Sequence, residues 1–178
     1  MIRIIGGEYK GRHLIVPKST SVRPTSDRVR ESMFNILSSR TDLAGKSVLD
    51  LFAGSGALGI EALSRGAAKV TFVDKSIDSL RVVKENLSNL GLSAQDRGQE
   101  VIKVIKSDAL SFLAGSDEFF DVVFCDPPYQ FDSWEKLIGL LNCTTAVLES
   151  NREILGALEI GVSKVFKYGI SVVTILES

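Results

Sequence analysis

From Ser47 onward, short unbroken apolar runs alternate with stretches of helical spacing, and this alternation narrows the possible folds more than any other feature of the chain. Ser47–Phe52, Lys69–Asp74, Val101–Ser107, Phe120–Cys125 and Thr145–Leu148 read as strands. Gly56–Ser64, Ser76–Leu90, Ala109–Leu113 and Ser133–Leu141 read as the helices between and after them. Leu80, Val83, Leu87 and Leu90 fall on one face of the second helix. Continuous apolar runs, rather than alternating ones, belong to strands covered on both faces. The pattern predicts an α/β, Rossmann-like architecture: a doubly wound, mostly parallel, seven-stranded sheet. Leu155–Val165 and Ile170–Leu176, hinged near Gly169, are expected to close that sheet as an antiparallel pair.

Ahead of the sheet, residues 2–16 read as a β-hairpin, with Ile2, Ile4 and Ile5 before Gly6-Gly7 and Leu14-Ile15-Val16 after Gly11. The expected layout is an N-terminal β-hairpin extension over 1–18 and one catalytic-type domain over 19–178. Pro17–Pro24 is a polar connection. Asp27 then caps a helix carrying Val29, Met33, Phe34, Ile36 and Leu37, with Glu31 early in it. Charge is uneven. Residues 1–46 hold nine Lys and Arg against four Asp and Glu, and residues 47–178 hold twelve against eighteen. A basic segment before an acidic body suits an anionic partner such as nucleic acid. No run of apolar residues is long enough to span a membrane. Met1–Gly7 is too soon interrupted to be an export signal, so a cytoplasmic location is the expectation. Cys125, Cys143 and the single His13 are too few and too scattered for a metal site, and no metal is expected.

Open parallel sheets bind ligands beyond the carboxyl ends of their strands. Asp50, Asp74, Asp108 and Asp126 all lie where a strand is expected to end. Gly54-Ser55-Gly56-Ala57-Leu58-Gly59 completes a GxGxxG pattern, which alone does not choose a cofactor. Asp50 does. A carboxylate before this loop repels a pyrophosphate, by a kcal/mol or more at moderate dielectric. S-adenosylmethionine carries an ammonium and a sulfonium and no phosphate, so an acidic loop suits it. Asp74 is placed to hold a ribose diol and Asp108 to accept from the adenine amine. Cofactor contacts are accordingly expected at Asp50, Phe52, Ala53, Gly54, Ser55, Gly56, Asp74, Lys75, Asp108 and Ala109. Asp is also a common turn former and helix cap, and any one of these residues alone would be uninformative.

Asp126-Pro127-Pro128-Tyr129 follows the apolar run Phe120–Cys125. Paired prolines stiffen the backbone and leave carbonyls as acceptors. The Asp126 carboxylate and the Pro127 carbonyl could each accept one N–H of an exocyclic amine and so direct its lone pair. Tyr129 could stack on a flipped base. Catalysis of this kind is mostly orientation and electrostatics.

Arg3-Ile4-Ile5-Gly6-Gly7-Glu8, Arg23–Glu31, Asp50–Gly59 and Asp126–Tyr129, with the closing Lys167-Tyr168-Gly169, together resemble the bacterial 16S ribosomal RNA guanine-N2 methyltransferases. The resemblance covers nearly the whole chain; residues 142–156 depart from it. It implies a class I methyltransferase fold and transfer of one methyl from S-adenosylmethionine to a guanine N2. The implied partner is 16S rRNA or an assembling small ribosomal subunit, and the protein is expected to act as a monomer. Asp126, Pro127, Pro128 and Tyr129 match the catalytic motif. Arg23–Glu31 match a segment beside cofactor and RNA, and RNA contacts are expected at Arg3, Lys10, Arg12, Arg23, Arg28 and Arg30. The alternatives are an adenine-N6 nucleic-acid methyltransferase, a protein glutamine methyltransferase, an NAD-dependent oxidoreductase and a non-catalytic RNA-binding module.

Overall fold

The structure, a computed structural model, describes residues 2–17, 27–92, 101–154 and 162–177. It opens with β1 (Ile2–Arg3) and β2 (His13–Leu14), an antiparallel pair. α1 (Asp27–Ser38), β3 (Ser47–Leu51), α2 (Ala57–Ser64), β4 (Lys69–Asp74) and α3 (Ile77–Asn89) follow. Then come β5 (Val101–Lys106), α4 (Ala109–Ala114), β6 (Phe120–Cys125), α5 (Trp134–Gly139), β7 (Cys143–Ser150), β8 (Val162–Tyr168) and β9 (Ser171–Glu177). The main sheet has seven strands in the order β5-β4-β3-β6-β7-β9-β8. β5, β4, β3, β6 and β7 pair in parallel, and β9 runs against both β7 and β8. The chain is thus a doubly wound, mostly parallel sheet with an N-terminal hairpin, as the strand–helix alternation predicts. No helix among the described residues is long and apolar enough to cross a membrane.

The unbroken apolar runs work because successive residues serve opposite faces. Val48, Phe72, Val122, Phe124 and Val147 pack with α1, α2 and α3. Their neighbours Leu49, Leu51, Val73, Val123 and Leu148 pack with α4 and α5. Phe34 of α1 meets Phe124 with ring centroids 5.2 Å apart. Each large apolar side chain buried this way contributes about 1.5–3 kcal/mol.

The hairpin shares this core. Ile2, Ile4 and Leu14 join the cluster that holds Phe34 and Phe72. Backbone groups of the hairpin land on α2. Ile5 N–H and Gly6 N–H donate to the Glu61 carboxylate at 2.7 and 2.8 Å. Glu8 N–H donates to the Ser64 carbonyl at 2.7 Å, and Tyr9 N–H to the Ser64 hydroxyl at 2.9 Å. A Cβ on Gly7 would sit 1.7 Å from the Ser64 carbonyl oxygen, so only glycine permits this approach. On α3, the Asn86 amide accepts from Ile15 N–H at 2.8 Å and donates to the Ile15 carbonyl at 2.9 Å.

Several boundaries differ from expectation. Strand pairing in the hairpin is confined to two residues on each side, and Gly11 N–H and Arg12 O close onto Ile4 through turn bonds. Asp27, read as the cap of α1, is its first residue and pairs with Arg3 and Arg30 instead. β3 stops at Leu51, because Phe52 adopts φ 60° and leaves the ladder. β7 runs from Cys143 to Ser150, since Glu149 and Ser150 still pair with Val173 and Val172 of β9. β8 extends to Tyr168, opposite Ser171, while residues 155–161 of the expected strand lie outside the described residues.

Glu61 is fully buried, accepts from two backbone N–H groups and pairs with Arg65 Nε at 2.8 Å. Glu61→Ala strands all three donors. We expect a loss of about 3 kcal/mol in unfolding free energy, read by urea denaturation. A loss below about 0.5 kcal/mol would show that the hairpin needs no such anchor.

Candidate active site

The chain runs outward from β3 to β4 and β5, then returns to place β6 on the other side of β3, and such reversals leave a crevice at the carboxyl edge. Leu51 is registered with Cys125, so the loops after β3 and β6 leave the sheet side by side. A cavity of about 610 Å³ opens between them. Asp50, Phe52, Ala53, Gly54, Ser55, Asp74, Lys75, Asp108 and Ala109 line it, with Asp126 and Pro128. The fold thus gathers these residues, distant in sequence, around one cavity. Gly56, Pro127 and Tyr129 belong to the same loops but not to the lining.

The loop after β3 is held at several points. Asp50 is 2% exposed, and its carboxylate accepts the Gly59 N–H at 2.9 Å. A Cβ on Gly59 would lie 2.3 Å from Phe72 Cε1, so α2 reaches this close to β4 only with glycine there. Asp74 accepts from Gly54 N–H at 2.9 Å and from Ser76 N–H at 2.7 Å, which ties the loop to the tip of β4. Asn86 donates to the Ser55 carbonyl at 2.9 Å. Phe52 is the only non-glycine with positive φ among the described residues. That conformation costs an ordinary side chain about 1–2 kcal/mol. Its ring meets Phe131 edge-on at 5.3 Å, and Phe131 meets Trp134 at 5.1 Å. Phe131 is brought there by a turn in which its N–H donates to the Pro128 carbonyl at 2.8 Å. Asp108 does cap α4, accepting from Ser111 N–H at 3.2 Å, and lines the cavity as well.

The cavity is acidic. Burial raises the Asp50 pKa well above the usual carboxylate value; the Gly59 N–H opposes this, and the Asp126 and Asp74 carboxylates push it up further. Burial likewise raises the Cys125 thiol pKa, with Cys143, Asp50 and Asp126 adding to it. A cationic ligand relieves this crowding, and an anionic one worsens it. Among the described residues no three His, Cys, Asp or Glu side chains are grouped to hold a metal ion.

The expected RNA contacts divide. Arg3, Lys10, Arg12 and Arg28 are exposed. Arg3 pairs with Asp27 at 3.3 Å, and Arg12 donates to the Asn89 carbonyl at 2.8 Å. Arg23 lies outside the described residues. Arg30 departs from the expectation. It is 1% exposed and lines the cavity, because the hydrophobic side of α1 turns it inward with Met33 and Phe34. A group so buried cannot meet phosphates on the surface of an RNA. Two further elements of the site were not singled out in the sequence. Phe131 follows Tyr129 by two residues, so an aromatic so near the Asp-Pro-Pro-Tyr run was the available signal. Ile2, Val16 and Pro17 carry the hairpin into the lining, and no local pattern marks them.

Fold, glycine loop and the strand-tip carboxylates together define a class I methyltransferase, whose methyl donor is S-adenosylmethionine. The residues present fit that donor: a cavity lined by Asp50, Asp74 and Asp126 favours a phosphate-free cation over a pyrophosphate. The chain belongs to the Conserved hypothetical protein 95 family, which matches residues 2–160. It is 43% identical over 140 residues to the Ribosomal RNA small subunit methyltransferase D of Escherichia coli (strain K12), an alignment covering 79% of this chain and 66% of that protein. The protein of the same name from Haemophilus influenzae is 43% identical over 152 residues, covering 84% and 75%. The solved Escherichia coli structure named for the methyltransferase yhhF superposes with a TM-score of 0.81 at 35% identity, covering 99% of this chain and 97% of that one.

Asp50 supplies a pH test. Its pKa is raised in the fold, so its favourable contribution to stability is full below the unfolded value near 3.8 and is lost as pH rises through the folded value. A cation prefers the ionised carboxylate, so S-adenosylmethionine should bind more tightly as pH rises through that folded value, releasing a proton. Asp50→Asn should flatten this pH dependence and weaken binding about tenfold or more, while leaving the unliganded protein at least as stable at neutral pH. Calorimetry in buffers of different ionisation enthalpy reads both; equal pH profiles for the two proteins would refute the assignment.

Proposed function

We propose that the protein transfers a methyl group from S-adenosylmethionine to the exocyclic N2 amine of a guanine in 16S rRNA, as part of small-subunit assembly. The observation that carries this reading is Asp126. It stands at the tip of β6 beside the acidic glycine loop, on a backbone stiffened by Pro127 and Pro128, and it lines the cavity. The names of the relatives support ribosomal RNA as the substrate class.

In this reading Asp126 and the Pro127 carbonyl each accept one N–H of the guanine amine, which localises its lone pair on nitrogen. The donor supplies an electrophilic methyl. Methyl transfer from the bound donor would leave that nitrogen with an excess proton, and Asp126 would take it. Tyr129 stacks on the flipped base, and Phe52 with Phe131 gives the cavity an aromatic wall. Arg3, Lys10, Arg12 and Arg28 hold backbone phosphates along the basic N-terminal segment, joined by Arg23.

Nucleoside mass spectrometry of 16S rRNA treated with the purified protein should show N2-methylguanosine. N6-methyladenosine in its place would select the adenine reading. Asp126→Ala should slow transfer at least about a hundredfold while S-adenosylhomocysteine still binds within about threefold; full activity in that variant would remove Asp126 from the chemistry. Binding to the RNA should weaken with salt, and replacing Lys10 and Arg12 with alanine should lower the slope of log affinity on log salt by about one per residue.

A further inference from the structure

Arg30 reaches the cavity from α1, 1% exposed. Its Nη2 donates to the Arg3 carbonyl at 2.8 Å and to Asp27 Oδ1 at 2.6 Å. Its Nε and Nη1 are buried and have no hydrogen-bond partner among the described residues. A guanidinium is always charged, and leaving its N–H groups unmet away from water is costly. Asp27 offsets part of the charge but meets neither of those two atoms. If holding the hairpin to α1 were the whole purpose of Arg30, Nη2 alone would do it.

The charges of the cavity lining are unequal. Four carboxylates face the cavity: Asp50, Asp74, Asp108 and Asp126. Against them stand two cations, and of these Lys75 is exposed at the tip of β4. Arg30 is therefore the one buried cation among the described lining residues. The methionine half of S-adenosylmethionine carries an ammonium, a sulfonium and one carboxylate. The first two suit the aspartates. The carboxylate is repelled by them and is matched by charge-assisted hydrogen bonds from Arg30.

We infer that Arg30 receives the carboxylate of the methyl donor. The assignment depends on the donor and not on which nucleotide is methylated. It also gives β1 a share in cofactor binding, because the Arg3 carbonyl holds the guanidinium through Nη2.

The test compares two donors that differ only in this group: S-adenosylmethionine and decarboxylated S-adenosylmethionine, each titrated calorimetrically into the full chain. Wild-type protein should prefer the carboxylated compound at least about tenfold. Arg30→Met should lose most of that preference, by weakening S-adenosylmethionine at least about tenfold while changing its decarboxylated analogue by less than about threefold. Both ligands read the same folded fraction, so the ratio is unaffected by partial misfolding. Arg30→Gln, which keeps an amide donor for the Arg3 carbonyl, serves if Arg30→Met does not fold. An unchanged ratio in the variant, or a wild type indifferent to the carboxylate, overturns the inference. Wild-type protein that binds neither compound overturns the cofactor assignment itself, and this inference with it.

Discussion

The hydrogen bond from Gly59 N–H to the buried Asp50 carboxylate is the constraint around which the site is arranged. It fixes the first turn of α2 to the end of β3. The loop between them, residues 52–56, has to cover the gap in one way. Phe52 is forced out of the ladder into a left-handed conformation, and its ring turns to Phe131. Gly54 is brought to Asp74. The same bond offsets only part of the cost of burying a carboxyl, so the Asp50 pKa stays raised and a cationic ligand is favoured beside it. Packing and electrostatics are here two effects of one interaction.

The hairpin is part of this arrangement rather than an appendage. It is docked on α2 through Glu61 and Ser64 and on α3 through Asn86, and it contributes Ile2, Val16 and Pro17 to the cavity lining. Asn86 is the direct link to the loop, since one amide holds both Ile15 and the Ser55 carbonyl of the glycine loop. Displacing the hairpin thus disturbs the loop through a single side chain. Surface charge on the hairpin and chemistry in the cavity are separated in sequence and joined in structure.

The sheet was legible because burial on both faces leaves a strong mark: Val48-Leu49 and Val122-Val123-Phe124 must be apolar at every position. The strand-tip aspartates were legible for a topological reason, since a parallel sheet delivers all its carboxyl ends to one edge. Glu61 and Arg30 were not. Glu61 is the one charge in a helix otherwise apolar or small, and only the docked hairpin explains it. Arg30 sits among charged neighbours, Arg28 and Glu31, and its inward direction depends on how α1 rotates against Phe124. Periodicity shows which helix face is apolar. It does not show that a guanidinium at the edge of that face will be sealed inside. The early end of β3 at Leu51 is a similar case, because the loop dictates it and the apolar run continues through Phe52.

The last strand in chain order, β9, lies between β7 and β8. Among the described residues, the cavity lining ends at Phe131, well before β9. During synthesis, then, the described lining residues have all been made while β7 still shows a bare hydrogen-bonding edge. β8 cannot occupy that edge in its native place, because its ladder is with β9 and it has none with β7. An unpaired, apolar strand edge invites pairing with another chain. The interval between emergence of Ser150 and of Glu177 is therefore the period in which a nascent chain of this topology is most exposed to misassembly, although the residues for its chemistry are already in hand.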